Sequence, residues 1–280
     1  MADQPTLKSR IAIITGAASG MGLVMARALA GAGAGIAGVD VDAAGLDRAA
    51  AEPVFAGKFL TLVADVSQLA ACRGAVQQAS DRFGALDILI NCAGISMSHA
   101  GATEGRIKFY EADPEGWQRI IAINGVGAFL MARFAAPVMV KRGWGRIINV
   151  TTSFDTMMAA GLSAYGAAKA GLEAGTAIWA KDLDGTGVTV NVLVPGGPAE
   201  TPGFFPPGRP RPKYLLDPQI MGPPAAWLAS PASDGVTGCR FIARDWDATL
   251  PAAEAAAKAR APAAWPELAK NATAARGYGM

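Results

Sequence analysis

Tyr165 and Lys169 lie four residues apart in the stretch Ser163-Ala-Tyr-Gly-Ala-Ala-Lys-Ala-Gly-Leu-Glu173. On a helix that spacing stacks both side chains on one face, where an ammonium beneath the phenol favours the phenolate. Such a pair can pass a proton to and from a hydroxyl or carbonyl group. A half-buried tyrosine beside a solvated lysine has the same spacing, so the meaning of the pair depends on what other segments bring to it.

The second chemical signal is a glycine loop. Thr15-Gly-Ala-Ala-Ser-Gly-Met-Gly follows the apolar run Ile11-Ala-Ile-Ile and leads into the helical stretch Leu23-Val-Met-Ala-Arg-Ala-Leu-Ala. Gly16, Gly20 and Gly22, with Ser19 and Met21 between them, let the chain turn tightly. They also let a pyrophosphate approach N–H groups at a helix N-terminus, where the macrodipole favours negative charge. Asp40, at the end of the next apolar run and followed by Val41, can hold both hydroxyls of an adenosine ribose and repel a 2′-phosphate. Ala18 and Ser19 stand where a cation would neutralise that phosphate, so NAD is favoured over NADP.

The elements that must position these groups alternate. Short Ile- and Val-rich runs at 11–15, 35–40, 59–63, 86–91, 146–151 and 188–194, with a shorter one at 240–243, are separated by alanine-rich helical segments. Continuous apolar strands between helices predict an α/β, doubly wound (Rossmann) parallel sheet of about seven strands with helices on both faces. A single domain over residues 1–246 is expected, with a substrate lid at about 197–218 built on the proline-rich stretch after Pro202. Residues 247–280 read as a C-terminal tail, an appended helix or extended arm able to meet a neighbouring subunit.

Composition narrows the function. The chain of 280 residues is 51% apolar and 17% charged, with 25 basic and 23 acidic residues scattered along it. No basic run interleaved with aromatics is present, which argues against nucleic-acid binding. Apolar stretches are interrupted by glycine and charge, and the N-terminus reads as untargeted, so no membrane partner and a cytoplasmic location are expected. Three scattered cysteines, Cys72, Cys92 and Cys239, suit a reducing compartment and make no metal motif. The single histidine, His99, reads as a loop residue, and no Gly-x-Ser-x-Gly elbow presents a nucleophile, which disfavours hydrolases and metal sites.

Taken in order, these motifs resemble those of the classical short-chain dehydrogenase/reductase family over roughly residues 8–245. Thr15-Gly-x-x-x-Gly-x-Gly resembles its cofactor loop, Asp65-Val66 its adenine contact, and Asn91-Cys-Ala93-Gly94 its fourth-strand motif, with Cys92 where a second asparagine is common. Asn124 matches the asparagine of the long interface helix, Tyr165 and Lys169 the catalytic pair, Pro195-Gly196 the loop near the nicotinamide, and Thr201 a carboxamide contact. The resemblance implies that Lys169 also bonds the nicotinamide ribose and that Asn124 holds a water linking the lysine to solvent. It also implies helix-mediated homodimers or homotetramers.

The catalytic hydroxyl is open between Thr152, which has the family's spacing, and Ser153, which has its identity. Neighbours on a strand point to opposite faces, so only one can face the nicotinamide. The implied reaction is an NAD-dependent interconversion of a secondary alcohol and its ketone, with Tyr165 as acid/base, its pKa lowered by Lys169 and the positive nicotinamide ring. Ser96, Phe154, Met158, Gly197 and Phe204, with Met157, Phe205 and the cations Arg209, Arg211 and Lys213 nearby, are the candidate substrate contacts. They suggest a hydrophobic or aromatic small-molecule substrate. A polyol or sugar alcohol, an epimerase or dehydratase on the same fold, and an NAD-sensing protein are the alternatives.

Overall fold

The computed structural model describes residues 6–202 and 214–267. The strands are β1 (Ile11–Thr15), β2 (Gly35–Asp40), β3 (Phe59–Val63), β4 (Ile88–Asn91), β5 (Gly145–Val150), β6 (Val188–Val194), β7 (Cys239–Ile242) and β8 (Arg260–Pro262). They form one sheet in the order β3-β2-β1-β4-β5-β6-β7-β8. All pairs are parallel except β7 with β8, which is antiparallel. The strand order reverses between β1 and β4, which opens a crevice beyond their carboxyl ends.

Both faces of the sheet are covered, which is why β1, β5 and β6 are buried along their whole length and rich in Ile and Val. Helices α1 (Gly20–Gly31) and α2 (Ala43–Ala50) pack on one face through Met25, Leu29 and Leu46. Helix α3 (Leu69–Phe83) covers the other through Ala75, Val76 and Ala79. There it meets Met131, Ala135 and Met139 of a long helix built from α4 (Pro114–Ile121), a π-helical turn (Ala122–Val126) and α5 (Gly127–Arg142). That joined helix is long and apolar enough to cross a membrane, yet these residues make it a core helix of the sheet. A four-residue α6 (Phe154–Met157) precedes α7 (Ser163–Asp182), and α8 (Gly222–Leu228) and α9 (Ala252–Ala259) complete the first face.

Local signals place the helix ends. Asp42 caps α2 by accepting from Gly45 N at 2.9 Å, and Asp113 caps α4 by accepting from Gly116 N at 2.6 Å, with Pro114 in the first turn. Helices α3 and α5 stop where Gly84 and Gly143 take positive φ angles of 71° and 69°.

Two expectations change. The sheet has eight strands rather than seven, because Arg260–Pro262 pairs with β7. Part of the predicted tail therefore belongs to the domain: Ala255, Ala256 and Ala259 are buried, and the following strand closes the sheet edge. The lid is described only at its base, where Leu216 N donates to Pro198 O (2.8 Å) and Glu200 N to Leu216 O (3.0 Å).

Candidate active site

A cavity of about 300 Å³ lies over the carboxyl ends of β1, β2 and β4, where the strand order reverses. Gly16 and Gly22 shape its floor. Gly16 has φ of 72° and sits so close to β4 that an added Cβ would lie 3.1 Å from the Ala93 backbone. A Cβ on Gly22 would fall 2.0 Å from Gly16 O, so only glycine fits. Thr15, unremarked in the sequence beyond its place in the motif, pins this loop to β4: its hydroxyl accepts from Cys92 N and Ala93 N, both at 3.0 Å. Ser19 precedes α1 without capping it, so its hydroxyl is not spent on the helix.

Gly16, Ser19, Gly20, Met21, Gly22, Asp40 and Val41 all line this cavity. So do Asp65, Val66, Ala93, Gly94 and Thr201. Asp40 accepts from Ala18 N (3.0 Å) through one oxygen and from Asp42 N (3.1 Å) through the other, which fixes the carboxylate at the end of β2 with lone pairs left over. His99, at the end of the segment 95–99 expected beyond β4, lines the cavity, and Arg119 and Ile123 do so without having been foreseen. The last two come from α4 and its π turn, where no periodic signal marks them. His99 is engaged with Ser96 O at 3.3 Å, as a loop histidine.

Two expected cofactor contacts fall elsewhere. The Asn91 amide points beneath the cavity, donating to Asn149 Oδ1 (2.9 Å) and Ala128 O (3.3 Å), because strand alternation turns it into the layer under α5. Gly196 forms a turn (φ 90°) whose carbonyl accepts from Arg244 Nη1 at 2.8 Å, and its neighbour Pro195 is the one facing a cavity.

That second cavity, of about 350 Å³, adjoins the first and shares Met21, Cys92, Gly94 and Thr201 with it. Tyr165, Lys169 and Thr152 line it together. The structure separates the two candidate hydroxyls. Thr152 hydrogen-bonds the Tyr165 phenol, whereas Ser153 sits at the start of α6 with its Oγ 2.8 Å from Thr156 Oγ1 and does not line the cavity.

Burial pushes the Tyr165 phenol up to about 12, with the Thr152 hydrogen bond opposing it. The expected lowering counts on Lys169 together with the positive nicotinamide ring, and burial of the phenol acts against it. The lysine is only 4% exposed and donates to Val150 O at 2.9 Å, and burial pushes its own pKa down to about 8. Desolvation thus outweighs the attraction that helical spacing implied. Burial likewise raises Cys92 to about 12, which keeps that thiol protonated between the two cavities.

Asn124 lies in the π turn, a distortion common at functional sites. Its amide is bidentate on one residue: Oδ1 accepts from Ile95 N (2.8 Å) and Nδ2 donates to Ile95 O (2.9 Å). The side chain therefore orients the loop after β4.

Among the expected substrate contacts, Ser96 and Gly197 line the second cavity. Phe154 and Met158 do not; they are 42% and 69% exposed, because α6 turns the chain outward at Phe154, whose ring packs on Trp265 at 5.1 Å. Phe204, Phe205, Arg209, Arg211 and Lys213 lie outside the described residues. Met97, Thr156, Pro198 and Ala199, from the expected segments 95–99, 154–158 and 197–218, line the second cavity as well. Leu162, Glu104 and Arg106 complete the walls and come from loops, where the sequence carries no repeat.

The family model of short chain dehydrogenases matches residues 10–204. D-beta-hydroxybutyrate dehydrogenase of Cupriavidus necator is 40% identical over 194 residues, 68% of this chain and 71% of that one. Galactitol 2-dehydrogenase (L-tagatose-forming) of Cereibacter sphaeroides is 34% identical over 249 residues, covering 83% and 92%. Among solved structures, 3-ketoacyl-(acyl-carrier-protein) reductase from Brucella melitensis, complexed with NADH, superposes with TM-score 0.73 at 31% identity, covering 85% of this chain and 97% of that one.

Proposed function

The chain belongs to the short-chain dehydrogenase family, and from that premise we propose that it is an NAD-dependent oxidoreductase interconverting a small secondary alcohol and its ketone. The observation that carries this reading is the continuity of the two cavities. Met21, Cys92, Gly94 and Thr201 line both the cavity over the glycine loop and the cavity that holds Tyr165 and Thr152, so they would hold the reactive end of a bound nucleotide.

The cradle fits such a group because Gly22 leaves no space for a Cβ and the first N–H groups of α1 lack intrahelical partners. Asp40 would hold the ribose hydroxyls, which favours NAD over NADP. When bound, NAD supplies the acceptor for the hydride. Thr152 would anchor the substrate oxygen, and Tyr165 would take its proton during oxidation or return it during reduction. The raised pKa of Tyr165 keeps the phenol protonated at neutral pH, the form that donates to a ketone; oxidation calls on the phenolate, whose share grows with pH. Lys169, held by Val150 O, would also bond a ribose hydroxyl of the nucleotide.

Met97, Leu162, Pro198 and Ala199 suit an apolar substrate body, while Glu104 and Arg106 leave a polar end accommodated. The relatives named above act on hydroxy acids, a polyol and ketoacyl groups, and a short-chain hydroxy compound suits this cavity. Exposed Val126, Phe129 and Ile178 on α5, its π turn and α7 support a homodimer or homotetramer through these helices. Free cysteines agree with a cytoplasmic setting.

Replacing Tyr165 with Phe tests the reading. Turnover of any alcohol that reduces NAD in the native enzyme falls by at least ~10³-fold, in line with loss of an acid/base and its hydrogen bond, while NADH binding followed by fluorescence persists. Retained turnover rules the assignment out.

A further inference from the structure

The end of β5 is gripped residue by residue. Lys169 Nζ donates to Val150 O at 2.9 Å, Thr151 Oγ1 donates to Glu173 Oε2 at 3.0 Å, and Arg240 Nη2 donates to Thr152 O at 3.0 Å. Arg240 also donates through Nη1 to the same Glu173 oxygen at 2.5 Å. Glu173 lies one helical turn past Lys169 on α7 and is fully buried; Arg240, on β7, is 8% exposed. One guanidinium fork therefore ties the catalytic helix to the backbone of the residue whose hydroxyl meets Tyr165.

Burying a carboxylate and a guanidinium is costly, and an apolar pair of similar volume is often as stable or more so. The cost is visible here: Glu173 Oε1 has no hydrogen-bond partner among the described residues. A pair kept at such cost, with both members bonded to consecutive residues at the catalytic strand end, has a use beyond stability. We propose that Glu173 and Arg240 are positioning residues that fix the β5 end so that the Thr152 hydroxyl points at the reacting oxygen. The inference rests on the reading of Thr152 and Tyr165 given above. Glu173 ties the Thr151 hydroxyl to α7 just past the end of β5, while Arg240 clamps the Thr152 carbonyl so the peptide cannot rotate. Lysine cannot replace this arginine, since one ammonium lacks the planar fork that reaches both acceptors.

Two variants test this on the full-length enzyme with NAD. Glu173→Leu combined with Arg240→Met removes both charges and preserves volume; Arg240→Lys keeps the charge and loses the fork. In both, kcat falls by roughly 10²-fold, the effect of an ångström-scale misplacement, while KM for NAD and the urea midpoint of the double variant stay close to native. A threonine-methyl NMR spectrum, with Thr152 assigned from Thr152→Val, shows the Thr152 signal displaced in both variants. A kcat within about threefold of native in a folded variant, a parallel collapse of NAD affinity, or an unmoved Thr152 signal overturns the proposal. Should native protein reduce no NAD with a panel of alcohols, the oxidoreductase reading falls by itself, and the Thr152 signal still decides whether the pair positions this residue.

Discussion

Replacing Lys169 with Met exchanges a buried ammonium for an apolar chain of similar length, and the structure sets the size of the effect. Lys169 is 4% exposed and its pKa drops from 10.5 to about 8 through burial. At ~1.4 kcal/mol per pH unit, that difference corresponds to about 3 kcal/mol carried against folding wherever both states hold the proton, below pH 8. Between about pH 8 and 10.5 the unfolded chain keeps a proton that the folded chain has released, so native stability rises with pH through this window and is lost as pH falls back through 8. Tyr165 acts in the opposite sense, because its pKa is raised from 10.0 to about 12: the stability it confers is present below pH 10 and lost as pH climbs through 12. From pH 8 to 10 the difference between the native and variant curves therefore reports Lys169, since the buried thiols of Cys72 and Cys92, raised to about 11 and about 12, titrate in both proteins. The Lys169→Met variant has no proton to release at this position, so it follows only the thiol titration common to both proteins. At pH 7 the relieved charge burial is offset by an orphaned Val150 carbonyl, worth roughly 1–3 kcal/mol, so variant and native protein lie close together. By pH 10 the native protein is the more stable by up to about 3 kcal/mol. Urea unfolding followed by tryptophan fluorescence at intervals from pH 7 to 10 measures both curves. Parallel curves refute the reasoning, since they mean that burial does not perturb this lysine.

The remaining predictions concern partners of the same site. Thr152→Val lowers kcat by ~10²–10³-fold, the effect of removing one donor at a reacting oxygen, whereas Ser153→Ala, whose hydroxyl meets Thr156, stays within about threefold; equal losses in steady-state assays contradict the assignment. Asp40→Ser raises KM for NAD by roughly 10- to 100-fold, from loss of hydrogen bonds to a charged group, and narrows the preference over NADP. An unchanged ratio of kcat/KM for the two cofactors tells against Asp40 as the selector.

Much of the site was legible in one dimension because its parts are local. The glycine loop, Asp40, and the Tyr165–Lys169 spacing each declare themselves through backbone geometry or helical periodicity within a few residues. Alternating apolar runs likewise sufficed for a doubly wound sheet. What stayed hidden depends on contacts between distant segments. Arg240 meets Glu173 across 67 positions, and Asn91 meets Asn149 across 58, so neither partner is visible from its own neighbourhood.

Three outcomes were decided by tertiary structure alone. Spacing favoured Thr152 and identity favoured Ser153, and the outward turn of α6 sets their side chains apart. Helical stacking implied a lowered tyrosine pKa, and burial of both groups acts against it, because desolvation scales with what surrounds a side chain and not with its place in the chain. Phe154 and Met158, expected in an apolar pocket, face outward, while Leu162 joins Pro198 and Ala199 of the expected lid in forming its walls. Sequence determined which chemical groups exist and which short-range geometry they adopt; only the packed fold determined which of them are dry, which are paired, and which face the same cavity.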